Sequence, residues 1–343
     1  MGEGKYGNLL KDLDIEVFTL DMEASKIRLK HLFTLYSLIQ RIKPDIIQTW
    51  MYHADFLGGI ISRLAGFKNI VWGVHNTTLE KSKSKKLTII IAKINSIISK
   101  FIPRKIIYCA EKSKEAQESI GFDQTKGVIV RNGYNTDDFY PNREYSEQFC
   151  KELNIKGEDF IIGHVGRYDP HKDYPNLISS LSILKKENIK FLLIMVGTNL
   201  DNSNIDLKSL ILKYELDDYI KLLGRRDDIP IVMNGFDSFV LSSSAEAFPN
   251  VLAEAMACGT PCISTDVGDT AYIVGESGWI IEAQNPTLLA EAIKCAYFEK
   301  MENNEEWQNK QYTARKKIVE DLSIEKMVNS YNKVWNENKE LYK

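Results

Sequence analysis

The sequence predicts an α/β protein made of two doubly wound parallel sheets in tandem. Short apolar runs rich in β-branched residues alternate with longer amphipathic segments, which is the pattern of a parallel sheet covered by helices. The series is interrupted once, by a turn and a linker, and then starts again. A chain of 343 residues is long enough for two domains with separate cores. We therefore expect two similar units with a ligand cleft between them.

The expected strands are short apolar runs bounded by turn residues. In the first unit they are residues 15–20, 45–48, 70–74, 105–109 and 127–130. A turn at Arg131-Asn132-Gly133 and a linker over residues 138–143 follow. In the second unit the expected strands are residues 160–165, 191–196, 219–223, 238–241, 261–265 and 279–281.

These signals divide the chain into three parts. Residues 1–141 are the predicted first domain, and residues 142–322 are the predicted second domain. Residues 323–343 form a predicted C-terminal helix with Ser323 as its N-cap. This helix is long and polar enough to leave its own domain, so we expect it to pack back on the first one.

Composition and charge exclude several classes of protein. The net charge of -3 argues against a dedicated nucleic-acid-binding protein, which needs a basic surface. The five cysteines are scattered, which favours a reducing, cytoplasmic compartment over a disulfide framework or a metal site. No apolar run approaches the roughly 20 residues that span a bilayer, and the first residues lack the apolar stretch of a signal peptide.

The segment from Glu246 to Glu254 follows an apolar strand and begins a helix. Pro249 suits the first turn of that helix, and the backbone N–H groups of Asn250 and Val251 have no partner within it. Unpaired N–H groups and the helix dipole together favour a bound anion. The two carboxylates could accept hydrogen bonds from the hydroxyl groups of a hexose and a ribose. Two solvated glutamates around a well-capped helix are the alternative.

A second candidate loop follows the first strand of the second unit. Gly166 permits a tight turn or the close approach of a ligand, and Arg167 and Lys172 place two cations on one loop. Such a pair suits a diphosphate, although surface cations of this kind are often merely solvated. A nucleotide-diphosphate sugar offers both the diphosphate and the hydroxyl groups that the two loops together could bind.

Several motifs occur in a fixed order along the chain. They are Arg131-Asn132-Gly133-Tyr134 with Phe139-Tyr140-Pro141, Gly166-Arg167 with Lys172, Met195-Val196-Gly197, Leu223-Gly224-Arg225, and Glu246-x7-Glu254 followed by Ala-Met-Ala-Cys-Gly-Thr-Pro. This set resembles the signature of the family 4 retaining glycosyltransferases over nearly the whole chain. The resemblance implies the GT-B fold, in which two Rossmann-like domains face each other across a cleft.

The resemblance also implies roles for individual residues. Arg167 and Lys172 would bind the donor diphosphate and stabilise it as the leaving group. Glu254 would bind the ribose, and Glu246 would bind the transferred sugar. The donor would be a nucleotide-diphosphate sugar, with uridine as the expected base, and the acceptor a glycan or a lipid-linked glycan in cell-surface polysaccharide synthesis. Because no metal is needed if these cations stabilise the leaving group, we expect no metal and no further cofactor.

Other positions follow from the same resemblance. The backbone at Phe248, Asn250 and Val251 would complete the phosphate and sugar contacts, and Arg225 would border the base. His75 follows a strand of the first unit, where the family often has a histidine near the reacting sugar. A hydrogen-bonded structural histidine is the alternative for that position.

Two further functions share these features. One is a nucleotide-sugar-binding subunit with little activity of its own. The other is a nucleotide-sugar epimerase of the same fold class, which would convert its substrate without an acceptor. A phosphorylase of this fold would need a pyridoxal lysine site, for which the sequence gives no signal.

A basic helix is predicted between Lys81 and Lys105, a segment with eight basic and no acidic residues. Its isoleucines repeat at helical spacing, so its apolar stripe could pack on the sheet. Alternatively, the helix could contact the inner face of the cytoplasmic membrane, since basic amphipathic helices bind anionic lipid. Both hold if residues 81–86 contact the headgroups while the stripe stays buried.

The start of the chain departs from the family pattern. Family members usually open with a strand, a Gly-Gly loop, a helix and a second strand, whereas this sequence joins the pattern near Lys5-Tyr6-Gly7. The resemblance therefore implies that this unit is absent, through a start codon assigned too far downstream, an excised segment or a natural short form. In its absence we expect donor binding to survive better than transfer, because the unit normally faces the reacting centre.

Overall fold

The computed structural model describes residues 4, 6–22, 28–75, 86–155 and 159–340. It contains two separate parallel sheets, which confirms the predicted fold class. The first sheet has the order β1-β2-β3-β4 and consists of β1 (Ile47–Trp50), β2 (Ile70–Val74), β3 (Lys105–Tyr108) and β4 (Gly127–Ile129). The second has the order β10-β9-β8-β5-β6-β7 and consists of β5 (Phe160–Val165), β6 (Phe191–Val196), β7 (Ile220–Gly224), β8 (Ser238–Leu241), β9 (Cys262–Thr265) and β10 (Gly278–Ile281).

Helices connect the strands and cover the sheets. In the first half they are α1 (Gly7–Asp12), α2 (Leu29–Ile42), α3 (Tyr52–Leu64), α4 (Lys86–Ile98) and α5 (Glu111–Ser119). In the second half they are α6 (Arg143–Glu152), α7 (Tyr174–Lys186), α8 (Ile205–Lys213), α9 (Ile229–Asn234), α10 (Asn250–Ala257), α11 (Thr270–Val274), α12 (Pro286–Glu302), α13 (Asn304–Asp321) and α14 (Ile324–Glu340). Among the described residues, no helix is both long and apolar enough to span a membrane.

The second sheet is buried on both faces, as expected for a parallel sheet between two layers of helices. All residues of β5 and β6 are buried, and alternate side chains point into two apolar cores. Ile161 and Ile194 belong to one core, while Ile162 and Leu193 belong to the other. This rigid sheet holds the loops at its carboxyl edge in fixed positions.

The predicted strand over residues 15–20 is wrong. The structure has these residues as an irregular segment beside α2, with Ile15 and Phe18 exposed. No described strand pairs with the outer edge of β1, where such a strand would lie. Because β-propensity stabilises a strand only through its neighbours, an apolar run without a partner strand stays irregular.

The chain passes between the two halves at two adjacent places. The N–H of Tyr134 donates to the carbonyl oxygen of Leu322 (2.9 Å), and the N–H of Ile324 donates to the carbonyl oxygen of Tyr134 (2.9 Å). Beyond this paired crossing, α14 lies on the first sheet, where Tyr331 and Val334 pack against residues of β2 and β3. The C-terminal helix is thus part of the core of the first half.

Three basic residues of the predicted basic helix, Lys81, Lys83 and Lys85, lie outside the described residues. The remaining residues, 86–105, form α4, the turn that follows it and the first residue of β3.

Candidate active site

The two candidate loops follow neighbouring strands at the centre of the second sheet. From β5 the chain continues to β6 and β7 on one side, and then crosses over to build β8, β9 and β10 on the other. The sheet therefore reverses its winding between β5 and β8. Ligands of open α/β sheets bind in the crevice at the carboxyl end of such a switch point. The loop of Gly166 follows β5, and the loop of Glu246 follows β8, so both border this crevice.

Lys172 and Glu246 form an ion pair across the crevice. The Nζ atom of Lys172 lies 2.6 Å from Oε1 of Glu246, and the two side chains are only 17% and 18% exposed. The hydroxyl of Ser243 donates to the same carboxylate oxygen at 2.8 Å. A half-buried ion pair with a further hydrogen bond has a defined geometry, because each side chain fixes the rotamer of the other. The structure thus brings together a cation and a carboxylate from two loops that are far apart in the sequence.

The loop after β5 is shaped by a close approach of backbone to backbone. The N–H of Gly166 donates to the carbonyl oxygen of Val196 at 2.9 Å. Gly197 has φ +142°, and a Cβ atom there would overlap the carbonyl oxygen of Gly166. The hydroxyl of Tyr174 holds the carbonyl oxygen of Arg167 at 2.8 Å. Arg167 itself is exposed.

Hydrogen bonds join the loop after β5 to the loop after β8. The N–H of Ser244 donates to the carbonyl oxygen of His171 (2.7 Å), and the hydroxyl of Ser242 donates to that of Lys172 (2.8 Å). The hydroxyl of Thr265 donates to the carbonyl oxygen of Ser243 at 2.6 Å. The two loops therefore form one unit, and the Lys172–Glu246 pair sits on it.

Sequence reasoning missed Gly268, whose backbone packs closely against the backbone of the Glu246 loop. Gly268 has φ +57°, and a Cβ atom there would overlap the carbonyl oxygens of Glu246 and Ala247. The following N–H, of Asp269, donates to the same carbonyl oxygen of Ala247 at 3.1 Å. The sequence signal was the Val-Gly-Asp turn directly after β9, but nothing in its spacing connects it with Glu246.

Helix α10 begins at the crevice, as the sequence predicted for this segment. Pro249 is its N-cap and supplies no capping side chain, so the N–H groups of Asn250 and Val251 are left for another acceptor. The side chain of Asn250 points to the interdomain segment instead, where its Oδ1 accepts from Asn132 (2.9 Å) and from the hydroxyl of Tyr134 (3.0 Å). Phe248 is buried, and its ring belongs to the core beneath the loop.

Glu254 lies one turn into α10 with a carboxyl group that has no hydrogen bond or ion pair to the described residues. Burial raises the pKa of this carboxyl from 4.5 to about 7. A carboxylate that is desolvated without a protein partner is costly, and a ligand with paired hydroxyl groups would supply the missing donors. The site therefore contains one paired carboxylate, Glu246, and one unpaired carboxylate, Glu254.

The remaining predicted residues lie apart from this cluster. Arg225 follows β7, at the edge of the sheet and two strands from β5; it is exposed and lies 3.3 Å from the carboxylate of Asp227. His75 follows β2 in the first half, with its ring 5.1 Å from that of Trp50. Its Nε2 atom is buried without a hydrogen-bond partner, and burial lowers the pKa of the imidazole, so the ring is neutral at pH 7.

A pair of contacts that sequence reasoning missed connects the site to the first domain. The guanidinium of Arg131 lies over the ring of Tyr272 at 3.8 Å, and its Nε lies 3.8 Å from Asp269. Asp269 adjoins Gly268, so the loop that supports Glu246 also contacts the other domain. Long-range contacts of this kind leave no periodic signal in a sequence.

Two family profiles match the chain. The profile described as "Glycosyl transferases group 1" matches residues 146–317, and that described as "Glycosyltransferase Family 4" matches residues 13–138. The first contains the candidate donor-site residues from Gly166 to Glu254, and the second contains His75 and Arg131.

Known proteins resemble the chain over most of its length. The UDP-Gal:alpha-D-GlcNAc-diphosphoundecaprenol alpha-1,3-galactosyltransferase of Escherichia coli is 29% identical over 262 residues, 74% of this chain and 66% of the relative. The capsular polysaccharide biosynthesis glycosyltransferase CapM of Staphylococcus aureus is 25% identical over 277 residues, 78% of this chain and 70% of the relative. The chain thus spans just under two thirds of the length of the E. coli protein.

A solved structure shares the architecture. The Anabaena protein HepE in complex with UDP and glucose superposes with a TM-score of 0.83 at 19% identity, covering 98% of this chain and 90% of that one. The two parallel sheets are therefore those of the GT-B glycosyltransferases, and the chain belongs to the glycosyl transferases group 1 family.

Proposed function

We propose that this protein is a retaining glycosyltransferase that moves a hexose from a UDP-sugar to a glycan or lipid-linked acceptor during cell-surface polysaccharide synthesis. The observation that carries the proposal is the arrangement at the switch point of the second sheet. There the Lys172–Glu246 ion pair, the uncapped start of α10 and the unpaired carboxyl of Glu254 border one crevice.

Each part of this arrangement matches a part of a nucleotide-diphosphate sugar. Lys172 keeps two N–H donors beyond the one that faces Glu246, and the exposed side chain of Arg167 adds a second cation on the same loop. These cations and the N–H groups of α10 suit the diphosphate. Glu254 suits the ribose hydroxyl groups, and Glu246, held by Lys172 and Ser243, suits a hydroxyl of the transferred hexose.

The proposed chemistry is the departure of the nucleoside diphosphate. As the bond between the sugar and the β-phosphate breaks, negative charge grows on the phosphate oxygen, and preorganised cations and N–H groups stabilise it. We propose that Lys172, Arg167 and the start of α10 supply this stabilisation without a metal ion. The acceptor hydroxyl then forms its bond to the anomeric carbon from the face that the diphosphate leaves, and its proton passes to the departing phosphate oxygen. Attack from that face retains the anomeric configuration.

His75 is the proposed contact of the first domain with the reacting sugar. Its imidazole is neutral because burial lowers its pKa, and its Nε2 lacks a protein partner. A neutral imidazole can donate to, or accept from, a sugar hydroxyl without placing a charge beside the reacting carbon.

The nature of donor and acceptor is supported by the relatives. The name of the E. coli relative gives UDP-Gal as the donor and alpha-D-GlcNAc-diphosphoundecaprenol as the acceptor, and that of the S. aureus relative gives capsular polysaccharide. We propose the cytoplasmic side of the membrane as the site of action. All five cysteines are free, which suits a reducing compartment.

The test is a donor panel with an anomeric readout. The purified chain is incubated with UDP-glucose, UDP-galactose and their N-acetylated forms, with a polyprenol-diphosphate-linked acceptor, and release of UDP is followed. NMR of the product reports whether the anomeric configuration is retained. Glu246→Gln is expected to abolish most of the turnover, whereas Glu282→Gln, which changes an exposed carboxylate of the same domain, is expected to leave it unchanged.

Three outcomes would contradict the proposal. They are no UDP release with any donor and acceptor, an inverted product, and conversion of the UDP-sugar to its epimer without an acceptor. The last would assign the chain to the epimerases instead.

A further inference from the structure

Helix α4 turns its apolar side to the solvent. Its outward face and the turn that follows carry large apolar side chains with high exposure: Leu87 56%, Ile90 53%, Ile94 36%, Ile97 65% and Phe101 70%. These positions recur at intervals of three and four residues, so they form one continuous stripe along the helix. We call this stripe the α4 outer face.

The inward side of α4 is the more polar one. Asn95 is fully buried, and its side-chain N–H donates to the carbonyl oxygen of Tyr52 at 2.8 Å. The hydroxyl of Ser99 is buried just beyond the helix and accepts from the N–H of Asp123 at 3.0 Å. These bonds fix the rotation of the helix, because turning the isoleucines inward would leave Asn95 and Tyr52 without their partners.

This orientation corrects one of the two readings of the basic segment. If the apolar stripe had packed on the sheet, its isoleucines would be buried. Of the helix's apolar residues, Ile91 and Ala92 are buried in the core and Ile98 packs against it half-buried, beside the buried Asn95 and Ser96. The rest of the stripe is left for another occupant.

The charge around the α4 outer face is mainly positive; the carboxylate of Asp123, near the end of the helix, is paired with Lys126 at 3.5 Å. Lys86, Lys93 and Lys100 are exposed beside the stripe. No aspartate or glutamate occurs between residues 86 and 110. Two further basic side chains hold the end of the helix: Arg63 donates to the carbonyl oxygen of Phe101 (2.8 Å), and Lys126 to that of Lys100 (2.7 Å).

We propose that the α4 outer face docks on an anionic lipid bilayer, with its isoleucines and Phe101 at the level of the acyl chains and its lysines among the headgroups. An exposed apolar stripe bordered by an excess of cations is complementary to such a surface. A second copy of the chain fits less well, because face-to-face packing would bring lysines against lysines with no carboxylate between them.

Topology places this surface beside the cleft. Helix α4 connects the parallel strands β2 and β3, so it runs back along the sheet and begins at the end of the sheet where β2 finishes. His75 lies at that same end. The inference rests on the proposed function only for the lipid-linked acceptor, which docking would bring to the cleft mouth near His75.

Vesicle flotation tests the docking without any turnover. The full chain is mixed with vesicles of phosphatidylcholine alone or with added phosphatidylglycerol, and the floated fraction is measured at low and high salt. The test variants are Ile90→Gln/Ile97→Gln, which removes apolar contacts, and Lys93→Gln/Lys100→Gln, which removes charge. The matched controls are Ile205→Gln on α8, where the side chain is 77% exposed, and Lys208→Gln on the same helix.

The native chain is expected to bind the anionic vesicles and to be released by high salt. Each double variant is expected to bind these vesicles at least about tenfold more weakly. The controls should bind like the native chain. Calorimetric binding of UDP should be the same in the native chain and in all variants. A native chain that floats with vesicles but does not bind UDP would count against the proposed function and not against docking.

Several results would overturn the inference. One is a native chain that does not float with anionic vesicles, and another is a pair of double variants that bind as well as the native chain. A native dimer in light scattering that Ile90→Gln/Ile97→Gln converts to a monomer, without vesicle binding, would assign the surface to a second copy.

Discussion

The carboxylate of Asp269 in the second domain accepts a 2.8 Å hydrogen bond from the backbone N–H of Glu111, the first residue of α5 in the first domain. The next N–H, of Lys112, donates to the other carboxylate oxygen at 3.1 Å. The N-cap residue of α5 is Ala110, which has no side-chain acceptor of its own. One domain therefore supplies the cap for a helix of the other.

Replacing Asp269 with alanine should destabilise the protein by about 1 kcal/mol, because α5 loses its only described side-chain cap. Urea unfolding followed by circular dichroism measures the change. Asp269→Asn, which keeps an accepting oxygen, should lose less. Asp266→Ala removes an exposed carboxylate from the same loop and is the control. Equal stability of Asp269→Ala and the native chain would show that the cap contributes nothing.

Removing the cation of the ion pair should affect turnover far more than stability. We expect Lys172→Gln to lower kcat by about 100-fold or more, since the charge that develops on the leaving phosphate loses a preorganised partner. Rates of UDP release measure it. Lys208→Gln changes an exposed lysine of the same domain and should keep native kcat. A similar kcat in both variants would exclude Lys172 from leaving-group stabilisation.

The raised pKa of Glu254 predicts that donor affinity depends on pH. With a pKa of about 7, the free carboxyl carries a proton on one oxygen at lower pH. Only the ionised form can accept a ribose hydroxyl hydrogen bond at each of its two oxygens. The Kd of UDP-glucose should therefore be about tenfold higher at pH 6 than at pH 8. UDP-glucose suits this calorimetric test because its diphosphate does not titrate in that range.

Glu254→Gln provides the control for this titration. Its Kd should be weaker and nearly constant between pH 6 and pH 8. The same burial has a consequence for stability: the group favours the folded state below its unfolded pKa of 4.5, and this contribution is lost as pH rises to about 7. A native Kd that is independent of pH would contradict the assignment of the ribose to Glu254.

Gly268→Ala should displace the Glu246 loop, because the added methyl group would overlap two backbone carbonyl oxygens. The backbone strain at φ +57° alone costs about 1 kcal/mol. Gly66→Ala is the matched control, with a positive φ of +90° and no atom within 4 Å of the added methyl group. Both variants should lose stability in thermal unfolding, but only Gly268→Ala should lose most of its transfer activity. Native activity in Gly268→Ala would contradict the supporting role of this glycine.

Local patterns were sufficient to predict the second sheet and the loops that border its crevice. The strand over residues 238–241 and the helix start after Pro249 were predictable because each depends on neighbours in the sequence. The approach of Lys172 to Glu246 was not, since it depends on the order of β5 and β8 in the sheet. Asp269 was missed for the same reason, because its partner, Glu111, lies in the other domain.

The first half shows where local patterns mislead. Residues 15–20 have the composition of a strand, but no described strand pairs with them. In α4 the periodicity correctly predicted a helix and its apolar side, but periodicity cannot tell which side faces the core. That choice was made by Asn95, whose side chain finds the carbonyl oxygen of Tyr52.

The paired crossing at Tyr134 and Leu322 limits how the two domains can move. Two connecting segments lie side by side there and are joined by hydrogen bonds. The domains can therefore bend about an axis through both segments, but they cannot rotate freely about one segment as they could with a single connection. Cutting the chain after Leu322 would leave such a single connection and would also uncover Val71 and Ile107, which α14 shields. After a protease cleaves between α13 and α14, loss of α14 should therefore make the first domain aggregate, although it stays attached to the second domain through the segment of Tyr134.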